Sequence, residues 1–270
     1  MRRRAVWPAR ASAPGPLRLH NFLHTLVIGV PPSLTVAALP PNAQRSAHAA
    51  PLPVAWNLSL AGALLVALPV FLQAPWVRLA PFSAACFTAP LLLAGIVLAQ
   101  QPSERLNTAG ALLVGFSGSW LGGCLFWGWC RLHPLWHLPL EAFALPLALG
   151  GLQGRWRLAA SFYLASLLGT ACTDGVMAIT GVMQHWTSVL NAPLDQAAIL
   201  LHQAALQVLQ PLPLTITLVA GALLIRLCLR TWQHPDPAWR LAASAVATTL
   251  AVDGLFLAAA LWAPQWSGLI

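Results

Sequence analysis

The feature that most constrains this chain is the recurrence of apolar runs from about Leu58 to Trp262, each close to the ~20 residues that cross a bilayer as a helix. Such runs have no polar face to turn toward water, so they fold only where hydrocarbon takes the place of water and every backbone group is paired within a helix. Of the 270 residues, 58% are hydrophobic and 7% charged, against about 25% charged in soluble domains. The sequence therefore predicts an all-α, polytopic transmembrane helix bundle of about seven spans. They fall at about 58–76, 83–100, 109–130, 135–153, 158–182, 213–229 and 241–262. The fourth has the poorest helix pattern, because Pro139 and Pro146 interrupt it.

Charge sets the expected topology. All fourteen basic residues are arginines, and six acids leave a formal net charge of +8. The absence of lysine excludes Schiff-base enzymes, P-loop nucleotide sites and lysine bases. The arginines lie in an amino-terminal tail and in short loops, not in one patch interleaved with aromatics, which argues against nucleic acid. A cytoplasmic amino terminus puts Arg2, Arg3, Arg4, Arg10, Arg18, Arg45, Arg105, Arg155, Arg157, Arg226, Arg230 and Arg240 inside and leaves only Arg78 and Arg131 outside. Discarding the tail still leaves six against two, the asymmetry of the positive-inside rule. Cleavage of a signal peptide at Ala47-His48-Ala49 would invert that count, so the tail is expected to stay. The carboxyl terminus then lies outside. Residues 1–50 read as a poorly ordered cytoplasmic tail and 51–270 as the transmembrane domain.

Nine of thirteen tryptophans (Trp56, Trp76, Trp136, Trp156, Trp186, Trp232, Trp239, Trp262 and Trp266) fall at or beyond span ends, where an indole keeps its body in hydrocarbon and its N–H wet. Between the fifth and sixth spans, Asp195 to Leu209 reads as an amphipathic helix on the outer surface, or as a connecting helix packed on the bundle. Gly118-x3-Gly122 and Gly150-x3-Gly154 predict close helix packing. The cysteines Cys86, Cys124, Cys130, Cys172 and Cys228 form no Cys-x-x-Cys pair and read as small buried hydrophobes.

Three of the six acids, Glu141, Asp174 and Asp253, fall within predicted spans. A charged carboxylate at a helix centre costs about 2.5–3.5 kcal/mol on insertion scales, so each needs a partner or a purpose. At 1.5 Å per residue, Glu141 lies roughly 9 Å and Asp174 roughly 12 Å below the outer boundary. Arg131, His133 and His137 lie at that boundary. These residues predict an outward-facing polar pocket for a ligand or proton, with Asp253 near mid-membrane as a possible further member. The alternative is structural: acids paired with Arg131 and with hydroxyls such as Thr170 and Thr173, holding helices in register. His133, His137 and Glu141 at i, i+4 and i+8 would also align on a continuous helix as weak candidate metal ligands, although Pro139 kinks that stripe. Axial ligation of haem or chlorophyll by either histidine is a comparable minor alternative, and no cofactor is named by the pattern.

Gly115-Phe116-Ser117-Gly118 resembles the nucleophile turn of rhomboid proteases, but no histidine falls at matching depth to act as base. A broader resemblance begins at Pro69-Val70-Phe71-Leu72-Gln73-Ala74-Pro75-Trp76-Val77-Arg78. It continues through Ser119-Trp120-Leu121-Gly122-Gly123, Trp127-Gly128-Trp129, His137-Leu138-Pro139-Leu140-Glu141-Ala142 and Gly169-Thr170-Ala171-Cys172-Thr173-Asp174. Over about residues 57–190 the chain is similar to a cyanobacterial multi-pass membrane protein family known only as a domain of unknown function. That resemblance implies a photosynthetic bacterium and a thylakoid or plasma membrane, and it implies no activity. Gly122 to Trp136 also resembles the membrane half of lipoprotein N-acyltransferases, whose soluble catalytic domain and lysine have no counterpart here.

Two functions follow as expectations. One is a non-enzymatic membrane protein that binds or moves a small solute, ion or lipid through the outer pocket. The other is an assembly or accessory protein of a photosynthetic membrane complex. An enzyme ranks below both, because no nucleophile, base and orienting group meet at one depth. Neither the ligand nor the oligomeric state is legible.

Overall fold

The structure, a computed structural model, describes residues 52–266; the expected amino-terminal tail lies outside the described residues. Those residues form helices and turns, with no strand among them. In chain order the α-helices are α1 (Leu52–Leu68), α2 (Ala74–Leu79), α3 (Pro81–Cys86), α4 (Thr88–Leu98), α5 (Glu104–Leu125), α6 (His137–Glu141), α7 (Leu145–Gly151), α8 (Arg157–Ile179), α9 (Trp186–Asn191), α10 (Leu194–Val208), α11 (Pro211–Trp232) and α12 (Pro237–Trp262).

Six stretches among the described residues are long and apolar enough to cross a membrane: Leu58–Leu79, Pro81–Leu98, Glu104–Cys130, Arg157–Ile179, Pro211–Trp232 and Pro237–Trp262. They coincide with six of the seven expected spans. The expected fourth span is instead broken into a 3-10 turn (Pro134–Trp136), α6, a second 3-10 turn (Ala142–Ala144) and α7. Prolines explain the breaks. Pro134, Pro139 and Pro146 each lack the N–H that an α-helix needs at that point. Pro75 has a milder effect, since the chain widens into a π-helical turn at Pro69–Gln73 and carries on as helix.

Packing fixes directions. Gly115 of α5 lies against Ala159 of α8, where an added Cβ would come within 2.5 Å of the Ala159 carbonyl oxygen, and Gly118 lies against the Tyr163 ring at 3.1 Å. Both residue numbers rise together, so α5 and α8 run parallel. The chain between them must return, and it does so along α8: His137 meets Asp174, Ala148 packs on Tyr163, and Gly151 lies against Ala160. Rising numbers also pair Gly169 with Thr249 and Thr173 with Asp253, making α12 parallel to α8. A Cβ added at Gly122 would come within 2.9 Å of the Glu141 Cα, so Gly118-x3-Gly122 packs within the chain as expected. Gly150 and Gly154 face open space, and that second small-residue pair is not a packing face.

The core gathers Leu112, Phe116, Trp120, Phe162, Leu241 and Val246 around α5. Of the spans, α5 is the most enclosed, with 61% of its most apolar window buried, and α11 the least, with 6%. Outward-facing Leu79, Leu147, Ile179 and Leu212 are each at least 70% exposed. So much apolar surface suits a lipid solvent and not water. At one end of the bundle Arg157 pairs with Asp236, whose Oδ1 also caps α12 by accepting the Ala238 N–H at 2.9 Å. At the other end α10 packs Ala197, Ala204 and Ala205 inward, while Gln207 donates to the Thr180 carbonyl and His202 Nδ1 lies 3.2 Å from that of Ala260. Ile199 is 60% exposed on its other side.

Close approach at glycine generates a test. A side chain at Gly110 would run into the backbone of Ala99 and Gly95, so Gly110→Val should cost about 1–3 kcal/mol or more and lower the melting temperature of the detergent-solubilised chain. Gly175 of α8 faces open space, so Gly175→Ala should leave that temperature unchanged or raise it, by up to ~1 kcal/mol of helix propensity.

Candidate functional site

The break between α5 and α8 places His137 at the start of a helical turn, with its imidazole stacked on Phe126 at 4.1 Å between ring centroids. Nε2 lies 3.3 Å from Glu141 Oε1, one turn further along, and Nδ1 lies 3.1 Å from Asp174 Oδ2 on α8. Both ring nitrogens therefore face carboxylates. Only the imidazolium form can donate from both. The three side chains are 16–17% exposed, enough shielding to strengthen the pairing relative to a surface ion pair.

The backbone at this break is also satisfied. The chain's single tyrosine, Tyr163 of α8, donates its hydroxyl proton to the Glu141 carbonyl and accepts the Ala144 N–H at 3.1 Å. It stands between two groups that a regular helix would pair with backbone. Next to Asp174, the Thr173 hydroxyl is 2.6 Å from Asp253 Oδ2 of α12 and 3.1 Å from the Gly169 carbonyl. One proton thus serves two acceptors, and Asp253 is only partly satisfied by Thr173.

These groups open onto a cavity of about 490 Å³ bounded by α8, α10, α11 and α12. Its wall includes His137, Asp174 and Asp253, with Trp127, Trp186 and Thr217 opposite or beside them. The remainder is mostly aliphatic.

Of the residues expected in the polar pocket, His137, Glu141 and Asp174 form one bridged cluster, and Asp253 joins it through Thr173. Arg131 does not. Its side chain is exposed and makes none of the ion pairs among the described residues, while its carbonyl accepts the Trp186 indole N–H at 2.6 Å. The turn that aims His137 inward leaves Arg131 at the outside of the bend. The His133, His137 and Glu141 stripe is not formed either. His133 is non-helical (φ −120°, ψ 79°) and is followed by a 3-10 turn, so the i, i+4, i+8 alignment does not exist. Among the described residues no group of three or more His, Cys, Asp or Glu is placed to hold a metal ion. All five cysteines are free.

Sequence reasoning missed Tyr163, Thr217 and the contribution of α11 to the wall. The first had a signal, a lone tyrosine in a span otherwise built of small and aliphatic residues. Thr217 had none, because nothing local distinguishes it from other threonines in spans.

Residues 62–261 match the family described as protein of unknown function, DUF3120. The chain belongs to that family. The match takes in His137, Glu141, Asp174 and Asp253 together with the helices that carry them, so the cluster lies wholly within the family's domain. It also extends through α11 and α12, beyond the stretch where the sequence resemblance was legible. No curated protein and no solved structure matches the chain.

Two substitutions weigh the parts of this arrangement. Tyr163→Phe removes both hydrogen bonds at the break and should destabilise the chain by about 1–3 kcal/mol, read as a lower melting temperature in detergent. His137→Ala leaves two shielded carboxylates without their shared partner and should cost more, about 3–5 kcal/mol.

Proposed function

We propose that the chain is an integral membrane protein, not an enzyme, that binds or moves a small solute, ion or lipid in the cavity beside Asp174 and Asp253. One observation carries this reading: His137, Asp174 and Asp253, from three separate elements and linked in one network, line an open cavity instead of being sealed away from it. Acids whose only task was to fix helix register would be expected to end in fully paired contacts. The broken segment fits as well, since discontinuous helices commonly build binding sites inside bundles.

In this reading residues 134–151 are a seventh, proline-broken crossing. The parallel course of α5 and α8 supports it, because the chain has to come back between them. The amino terminus is then cytoplasmic, the carboxyl terminus outside, and the cavity lies in the outer half beneath α10. The helix ends and the loop at the opposite end carry Arg105, Arg155, Arg157, Arg226, Arg230 and Arg240, the cytoplasmic signature. Glu141, Asp174 and Asp253 are then carboxylates at membrane depth.

A pair of terminal reporter fusions tests the topology, with opposite sides expected. The binding reading is tested by native mass spectrometry of the chain released from its own membranes. Gly221 lines the cavity and an added Cβ there would meet nothing within 4 Å, so Gly221→Trp introduces an indole at the cavity wall. A small-molecule adduct on the wild-type chain, absent from a Gly221→Trp variant that accumulates normally, is the expected result. An unliganded wild-type chain comigrating with a photosynthetic complex in mild detergent would favour the accessory role instead.

A further inference from the structure

The wall of the cavity specifies a charge. Asp174 and Asp253 line it beside His137, and the same histidine also pairs with Glu141, so even as imidazolium His137 offsets one of three carboxylates. Charges left unbalanced in a shielded site are costly, so protons or a bound cation must make up the difference. An inorganic cation does not suit the space. The donors do not converge as a metal site among the described residues, and about 490 Å³ lies in the range of cavities that enclose small organic molecules, about 300–1,000 Å³.

The other lining groups point the same way. Trp127 and Trp186 sit with ring centroids 5.5 Å apart on the cavity wall, and Trp127 meets His137 edge-on at 6.4 Å. Aromatic faces beside carboxylates are the surroundings in which organic ammonium ions are held.

Resting on the reading of the cavity as a binding site, we infer that its ligand is an organic cation: an ammonium on a compact apolar body. The ammonium sits between Asp174 and Asp253, and the apolar body lies against Trp127 and Trp186. Thr173 leaves Asp253 acceptor capacity for the ammonium N–H groups.

The test uses the full chain in phosphatidylcholine nanodiscs at neutral pH, titrated with three probes of one shape: phenethylammonium, its neutral counterpart 2-phenylethanol, and phenylacetate. Calorimetry and tryptophan fluorescence report binding, with empty nanodiscs subtracted. Phenethylammonium should bind saturably and at least tenfold tighter than the alcohol, a difference of about 1.4 kcal/mol, and phenylacetate should not bind. Asp253→Asn keeps the size of the side chain and should weaken the ammonium at least tenfold while barely changing the alcohol. Gly221→Trp should abolish binding of both. Equal affinity for ammonium and alcohol, or tighter binding of phenylacetate, with loss in Gly221→Trp, would overturn the cationic class and leave the cavity a binding site for another ligand. Saturable binding of none of the three would overturn this inference and count against the binding reading as well.

Discussion

The structure depends on how a proline-broken segment satisfies its own backbone. Pro134, Pro139 and Pro146 remove three donors from 134–151, and the 3-10 turn at Ala142–Ala144 interrupts the regular pairing between α6 and α7. Tyr163 pairs two backbone groups at that interruption, the Glu141 carbonyl and the Ala144 N–H. A hydroxyl can both donate and accept, so one side chain serves both ends of the break. This holds α6 and α7 against α8 and thereby aims His137 at Asp174. Without that bridge the segment would have to find other partners or leave the bundle.

Glycine makes the bridge reachable. At Gly115, Gly118 and Gly122 the α5 backbone approaches Ala159, Tyr163 and Glu141 in turn, so one face of α5 seats both α8 and the broken segment. Close approach replaces the hydrophobic drive that helix association lacks among lipid tails. The second helix pairing, α8 with α12, uses Gly169 against Thr249 in the same manner. One turn further on, Thr173 reaches Asp253. The acids are thus brought together by small-residue contacts within about a turn of them, and His137 and Thr173 link them.

The periphery is built differently. With 6% of its apolar window buried, α11 leans on the bundle instead of being wedged into it, and the cavity lies along its inner side. That arrangement joins a side carrying the acids, made of α6, α8 and α12, to an apolar side made of α10 and α11.

Much of the architecture was written in the sequence. Runs of apolar residues near bilayer length placed six of the helices to within a few residues, since length and hydropathy are local properties. Glu141 and Asp174 were legible as neighbours, because rise per residue gives similar depth to acids on consecutive segments. Position around a helix axis is another matter. Whether Arg131 or His137 turns toward Asp174 depends on the 3-10 turn at Pro134–Trp136, and that rotation takes Arg131 out of the cluster and dissolves the His133 stripe. The hydroxyl of Tyr163, the link from Thr173 to Asp253 and the wall supplied by Thr217 join residues 19 to 80 positions apart or from separate helices. Sequence alone determined which segments are helical; only packing at α5 decided which faces meet, because a helix's azimuth is set by its neighbours and not by its own composition.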